Sequence, residues 1–174
     1  MFKCAHISDI HFRSLKRHEE YKIVFQKYFD KLKKIENLDA IFIGGDIVHS
    51  KTQGITPEII DILSWWFTSL ADIAPTHIIL GNHDGLILNE TRQDAISPII
   101  SALNNKNLKL YKKSGVYPCF TPNHDTTINW CVFSCFDEKS WSNVKPVENE
   151  INIACFHGAV TGSKTDINWE LEGE

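Results

Sequence analysis

Gly81-Asn82-His83-Asp84 places three adjacent polar side chains directly after the apolar run 76–80. A short apolar run that ends in glycine is typical of a buried β-strand followed by a tight turn. Amide, imidazole and carboxylate groups in such a place are costly to bury unless they are used. The tetrapeptide therefore predicts a functional site at the end of a strand.

Two further polar motifs occur earlier in the same setting. Asp9-Ile10-His11 follows the apolar run 2–8, and Gly45-Asp46 follows the apolar run 38–43. Either motif alone is more typical of a helix cap or a turn. All three in this order predict parallel strands that bring carboxylate, imidazole and amide groups to one edge of a sheet, where open α/β sheets bind ligands. Two divalent cations that hold a phosphate ester use these groups.

Apolar periodicity predicts the rest of the architecture. Strands are predicted at 2–8, 38–43, 76–80, 108–111, 116–120, 128–136 and 151–156. Helices are predicted at 17–36, 57–72 and 92–103, the last with Pro98 as a break. Alternating strands and helices in the first half indicate parallel strands with helical crossovers, and the second half is mostly strand. The fold class predicted is an α/β sandwich with helices outside, comprising a domain at 1–160 and a polar tail or continuation at 161–174.

Composition narrows the class of protein. The 174 residues are 43% hydrophobic and 23% charged with a net charge of −4, which is typical of a globular domain. The apolar stretch 59–74 is interrupted by polar residues, and the N-terminus lacks a signal-peptide pattern. Five cysteines without a C-x-x-C pair indicate a reducing compartment. We therefore expect a cytoplasmic or nucleoid-associated protein that is neither secreted nor in a membrane.

The motifs resemble those of the calcineurin-like metallophosphoesterase superfamily over residues 1–159, with Cys155-Phe156-His157-Gly158 as a further match. Within it, the chain is most similar to the SbcD-type DNA repair exonucleases. The residues that carry this similarity are His6-Ile7-Ser8-Asp9-Ile10-His11, Arg17-His18-Glu19-Glu20 and Gly45-Asp46-Ile47-Val48-His49-Ser50. The resemblance implies a metallophosphoesterase-type β-sandwich flanked by helices.

The resemblance also implies a set of metal ligands. Asp9 and His11 would bind a first ion, Asp46 would bridge two ions, and Asn82 and His157 would bind the second. The expected ions are Mn²⁺, with Mg, Fe or Zn as alternatives. His157 taken alone is equally well explained as a core histidine.

Catalytic and substrate roles follow from the same resemblance. His83 would stabilise the transition state and protonate the leaving oxygen, and Asp84 would orient the His83 ring. Arg13 and His49 are expected to contact substrate, although a structural role for His49 stays open.

One part of the family pattern is missing from this sequence. Such proteins also supply a downstream G-H-x-H motif that gives one imidazole to each metal, whereas His157 is the last of eight histidines here. We therefore expect the domain to be incomplete at its C-terminus. We also expect little or no activity unless another segment supplies those histidines.

Three functions remain open from the sequence. The first is a DNA exo- or endonuclease of SbcD type, acting in DNA repair or recombination with an SbcC-like ATPase and as a homodimer through aromatic helical faces. The second is a small-nucleotide or general phosphodiesterase or phosphatase; the protein phosphatases are disfavoured because Val48-His49-Ser50 lacks their arginine. The third is a non-catalytic module that retains the fold. The pair Trp65-Trp66 fits core packing better than base stacking.

Overall fold

Strand and helix alternate in the first part of the chain, as the apolar periodicity predicts. The computed structural model describes residues 1–14, 16–49, 55–89, 92–121, 125–164, 168–170 and 172. The strands are β1 (Cys4–Ile7), β2 (Ala40–Ile43), β3 (Thr76–Ile79), β4 (Leu108–Tyr111), β5 (Gly115–Thr121), β6 (Thr126–Phe133) and β7 (Ile151–Phe156). The helices are α1 (His18–Leu32), α2 (Pro57–Ala71) and α3 (Ser97–Leu103), and a 3-10 helix spans Glu138–Asn143.

The first four strands form a parallel sheet in the order β1-β2-β3-β4. Parallel pairing brings the segments that follow all four strands to one edge of the sheet. The polar motifs after β1, β2 and β3 therefore start from neighbouring positions. This arrangement confirms the predicted α/β class.

The helices cover one face of the parallel sheet with a continuous aromatic core. Trp66 and Phe67 of α2 are fully buried, and the Trp66 ring packs edge-on against Phe12 and Phe25 at centroid distances of 5.4 and 5.3 Å. Truncating such a ring to alanine typically costs about 3–5 kcal/mol. These rings hold the helices onto the sheet and are buried within the chain, and the expected homodimer stays a prediction.

A second sheet closes the other face of the parallel sheet. Strand β5 is antiparallel to β6, and β6 is parallel to β7. Residues from the two sheets form a separate core between them, in which Phe42 stacks on Trp130 at 5.1 Å. His77 lies fully buried there, with Nδ1 2.7 Å from the Tyr111 hydroxyl. The two sheets thus share a core, as a β-sandwich requires.

Several predicted boundaries differ from the structure. Helix α3 begins at Ser97, so Pro98 lies in its first turn, where a missing N–H is tolerated. Strand β6 ends at Phe133 because the following serine leaves the ladder: the Ser134 N–H donates to Ser114 Oγ. The 3-10 helix was not predicted, and its Trp141 ring packs on Phe156 at 5.4 Å. Pro122-Asn123 is typical of a turn between two strands, and both residues lie outside the described part of the chain.

Membrane insertion finds no support in the helices. Among the described residues, no helix is both long and apolar enough to cross a membrane.

Candidate metal centre

The segments that follow β1 and β2 run side by side beyond the ends of their strands. The Asp9 N–H donates to Gly45 O at 3.0 Å, and the His11 N–H donates to Asp46 O at 3.0 Å. One residue further, Phe12 N–H donates to Ile47 O at 2.8 Å. These bonds extend the parallel pairing and fix the two polar motifs next to each other.

Three of the predicted ligands have left-handed backbone conformations. The φ angles are 57° at Asp9, 51° at His11 and 52° at Asp46. This region is sparsely populated by residues other than glycine, and each such residue typically costs about 1–3 kcal/mol. The surrounding hydrogen bonds hold the strain at the place where the polar groups converge, which is typical of functional sites.

Two glycines permit this close approach. A Cβ on Gly45, whose φ is +95°, would lie 2.6 Å from Gly81 N and 2.9 Å from His157 Nδ1. A Cβ on Gly81 would lie 2.8 Å from His157 Nε2 and would overlap Asp46. Any larger residue would push the motif loops and the end of β7 apart.

Asp46 lies at the centre of the cluster and is only 4% exposed. Its Oδ1 accepts the His83 N–H at 2.8 Å and lies 3.3 Å from His157 Nε2, while Oδ2 lies 3.6 Å from His11 Nε2. Burial raises the pKa of Asp46, but hydrogen bonds from His157 and His83 outweigh burial and lower the pKa below its ordinary value. Asp46 is therefore a carboxylate at neutral pH.

Two groups of possible metal ligands share the Asp46 carboxylate. One contains Asp9, Asp46 and His157, and the other contains His11, Asp46 and His83; within each, the ligand atoms lie within 4.8 Å of one another. A carboxylate common to two groups is the arrangement that a bridging ligand requires. The grouping departs from the expectation, since Asp9 lies with His157 rather than with His11, and His83 lies among the donors.

Asn82 faces the same carboxylate. One terminal atom of its amide lies 3.1 Å from Asp46 Oδ1 and 3.2 Å from Oδ2. With nitrogen in that place the amide donates to Asp46, and with oxygen in that place two acceptors face each other. The Asn82 amide oxygen and the Asp46 carboxylate oxygens repel each other at this distance unless a cation lies between them. The amide can therefore satisfy Asp46 alone or, after a flip, help hold a cation.

Backbone carbonyls fix the tautomers of two imidazoles. His157 Nδ1 lies 2.7 Å from Gly44 O, and His83 Nδ1 lies 2.7 Å from His49 O. A carbonyl oxygen only accepts, so both Nδ1 atoms carry hydrogen and both Nε2 atoms are left for the site. The hydrogen bond to Asp46 raises the pKa of His157 to about 9 against the opposing effect of burial, so a cation would replace a proton there.

The His11 ring has a nitrogen that could still donate or accept a hydrogen bond. Its Nδ1 is buried and has no hydrogen-bond partner among the described residues. Buried polar groups are nearly always paired, so Nδ1 keeps an unused hydrogen-bonding capacity, while Nε2 of the same ring is the nitrogen that lies 3.6 Å from Asp46 Oδ2. Together with the Asn82 amide and the two carbonyl-oriented imidazoles, this donor set fits divalent cations of the Mn, Fe or Zn type.

Comparison with known proteins agrees with the chemistry of this site. The model of the calcineurin-like phosphoesterase family matches residues 2–172. The chain belongs to this family. It is also 40% identical, over 182 aligned residues, to an uncharacterized protein, R555, of Acanthamoeba polyphaga mimivirus. That match covers 97% of this chain and 13% of the relative, so the chain spans about one eighth of the length of the viral protein. Membership supports metal-dependent phosphoester hydrolysis in general.

In this calcineurin-like phosphoesterase, the described contacts of Asp84 are with backbone N–H groups, and its predicted role in orienting His83 stays a prediction. Asp84 is fully buried, and its carboxylate accepts N–H groups from Ile47 at 2.8 Å, Val48 at 3.0 Å and Gly81 at 2.8 Å. Burial raises the pKa of Asp84 to about 7, although the three N–H donors oppose that shift. The carboxylate ties the loop after β2 to the loop after β3, and the His49 carbonyl orients His83.

The two expected substrate contacts lie at the rim of the centre. The His49 ring lies 5.7 Å from the His11 ring and 6.4 Å from the His83 ring. Desolvation, followed by the positive charge of Arg13, lowers the pKa of His49, which places an exposed Arg13 close to it. Contact of either side chain with substrate stays a prediction. The sequence does not predict that the carbonyls of His49 and Gly44 orient the two imidazoles, because every residue has a backbone carbonyl and no pattern of residue types marks these two.

Proposed function

We propose that this phosphoesterase hydrolyses phosphodiester bonds in DNA, as a nuclease of SbcD type, with two divalent cations and Mn²⁺ as the expected ion. The observation that carries the proposal is the Asp46 carboxylate shared by two donor groups. Two cations held on either side of one carboxylate can clamp a phosphate group. The phosphate group that we propose is the phosphodiester of a DNA strand.

The protein groups have separate tasks in this proposal. Bound cations supply charge stabilisation to the phosphate and an activated water. The Asp46 carboxylate is held in place by the His83 N–H, and the Asn82 amide, which donates to Asp46 when its nitrogen faces it, would turn its oxygen toward a bound cation. The His49 carbonyl holds a proton on Nδ1 of His83, so the imidazolium form would carry its second proton on Nε2, the atom that could pass it to the leaving oxygen.

DNA as the substrate is supported by the residues next to the centre. Arg13, Lys16 and Arg17 directly follow the His11 motif, and all three are exposed. Arg17 is paired with Glu20 at 2.7 Å, so Arg13 and Lys16 are the better phosphate contacts. A basic segment beside the metal centre would guide a polyanion toward it.

Partners belong to the proposal as well. Similarity to SbcD-type proteins suggests an SbcC-like ATPase and a homodimer. The solvent face of α1 presents Ile23 and Val24, which are 59% and 61% exposed, and this face replaces the buried aromatic rings as the proposed dimer contact. Sedimentation of the unsubstituted chain and of Ile23→Glu tests this: a dimer that becomes a monomer supports the contact, and a monomer in both cases removes it.

The enzymatic proposal is tested with two substrates in the presence of Mn²⁺. Linear duplex DNA and bis-p-nitrophenyl phosphate are incubated with the unsubstituted chain, with His83→Ala and with a surface control, Lys33→Ala, at the C-terminal end of α1. Cleavage of DNA that is lost only in His83→Ala supports the nuclease. Turnover of the small ester alone points to a small-nucleotide phosphodiesterase. Silence on both substrates is expected of a non-catalytic module and equally of a chain that lacks the G-H-x-H histidines.

A further inference from the structure

A cavity of about 670 Å³ lies beside the metal centre and has no role so far. Its walls come from the loops that follow β3, β4 and β6. Because β3 and β4 are parallel neighbours, the first two loops leave the sheet at the same edge as the metal motifs. The volume lies within the range of roughly 300–1,000 Å³ that is usual for ligand sites.

The cavity and the metal loop form one connected unit. The Ala95 N–H donates to Asp84 O at 2.8 Å, and Cys135 Sγ donates to Leu80 O at 3.7 Å, just before the Gly81-Asn82-His83-Asp84 turn. A Cβ on Gly85 would lie 3.0 Å from the Phe136 ring, so the wall packs directly on the end of that turn. A ligand in the cavity would therefore be held in a fixed position relative to the metal centre.

The basic residues that line the cavity are Arg92, Lys112, Lys113 and Lys139. Lys112 is committed to Asp94, with Nζ 2.7 Å from Oδ2. Arg92 and Lys113 are exposed, and neither forms an ion pair with a described residue. Two cations without an ion-pair partner among the described residues thus stand on neighbouring loops of the cavity.

The buried acids of the cavity wall are already satisfied. Asp94 accepts the Ile96 N–H at 3.0 Å and the Ser97 N–H at 2.6 Å, in addition to its contact with Lys112. Asp137 accepts the Ser114 N–H at 2.9 Å. The remaining acid, Glu138, is exposed at the rim. The interior therefore offers cationic side chains, while the buried Asp94 and the partly buried Asp137 accept hydrogen bonds within the fold.

Apolar side chains complete the lining. Leu88 is fully exposed, and Phe136 is half-buried in the same cavity. Single-stranded nucleic acids are bound by grooves that combine cations for the backbone with apolar or aromatic faces for the bases. The lining has both kinds of group.

We propose that this cavity binds the polynucleotide strand next to the scissile phosphate, with Arg92 and Lys113 contacting phosphates and Phe136 and Leu88 contacting a base. The proposal rests on the nuclease function above and specifies its substrate as a strand rather than a small ester. Binding of this kind depends on backbone charge and is insensitive to base sequence.

The test measures binding directly, so that it does not depend on cleavage. A fluorescein-labelled single-stranded oligonucleotide is titrated with the unsubstituted chain, with the double variant Arg92→Gln/Lys113→Gln and with the control Lys33→Gln/Lys34→Gln. The control removes the same two positive charges near the C-terminal end of α1. Lys3, just before β1, donates to the Glu36 carbonyl there, so this region lies at the edge of the sheet opposite to the metal motifs. Thermal unfolding of each protein checks that it is folded.

Loss of two phosphate contacts should reduce the slope of log affinity against log salt by about 1.4 and weaken binding about 25-fold at 0.1 M salt. The control should retain the slope and the affinity of the unsubstituted chain. Equal binding by the double variant and the control overturns the inference, as does absence of oligonucleotide binding by the unsubstituted chain. Binding of the expected kind without cleavage of DNA would leave this inference standing and refute the nuclease proposal.

Discussion

Replacement of Asp84 by asparagine tests how the metal loops are held together. The carboxylate accepts three backbone N–H groups, two from the loop after β2 and one from Gly81. Asparagine keeps one acceptor oxygen, which can still face Ile47 and Val48. Its NH₂ group would then point at the Gly81 N–H, so two donors would face each other.

The expected cost follows from those contacts. A buried donor left without an acceptor costs about 1–3 kcal/mol, so Asp84→Asn should lower the free energy of unfolding by about 2 kcal/mol. For a domain of this size the melting temperature should fall by about 4–8 °C. Because the Gly81 loop carries Asn82, affinity for Mn²⁺ should fall as well.

Urea unfolding and calorimetric titration with Mn²⁺ measure the two effects. A suitable control is Asp30→Asn, which weakens an exposed contact with Gln26 on α1 and should change stability by less than about 0.5 kcal/mol. If Asp84→Asn leaves stability unchanged while hydrolysis falls, the carboxylate acts in catalysis and the structural role assigned to it is refuted.

Four further changes test other parts of the site and core. Asp46→Asn should weaken Mn²⁺ binding at least about 100-fold in a calorimetric titration, because even outer-shell losses cost 10–100-fold; affinity within tenfold would contradict its central role. Gly81→Ala should weaken the same binding, because its Cβ would lie 2.8 Å from His157 Nε2; unchanged binding would show that the loops tolerate the methyl group. His83→Asn should lower kcat about 10²–10⁴-fold in the ester assay with a melting temperature near that of the unsubstituted chain; full activity would exclude a proton-transfer role. Burial lowers the pKa of His77 to about 4, so stability is complete above about pH 6.5 and falls as the pH drops toward 4. The loss should be about 2 kcal/mol between pH 7 and pH 5 in urea unfolding, and an equal loss in His77→Gln would contradict it.

The strand ends were the part of the fold that the sequence predicted best. The runs before Asp46 and Asn82 are apolar and end at glycine, the run before Asp9 ends at Ser8, and each forms a parallel strand that stops within two residues of its motif. Burial on both faces makes β2 and β3 continuously apolar, so their pattern is clear without knowledge of the tertiary contacts, whereas the edge strand β1 is only partly buried.

The hydrogen bonds of the site could not be predicted in the same way. That Asp84 faces N–H groups depends on how the β2 loop lies against it, which is a tertiary contact. The left-handed conformation of Asp46 likewise has no sequence signal, because aspartate occurs in many turns. The start of α3 was missed because Asp94 shapes the preceding loop through its contact with Lys112, which is distant in the sequence.

Anomalous scattering from crystals grown with MnCl₂ tests the shared carboxylate most directly. We expect manganese peaks on both sides of Asp46, each roughly 2.0–2.3 Å from one of its oxygens and roughly 3.5–4 Å from the other peak. Manganese bound elsewhere, with Asp46 still paired to His157, would contradict the assignment of this cluster as a dinuclear centre.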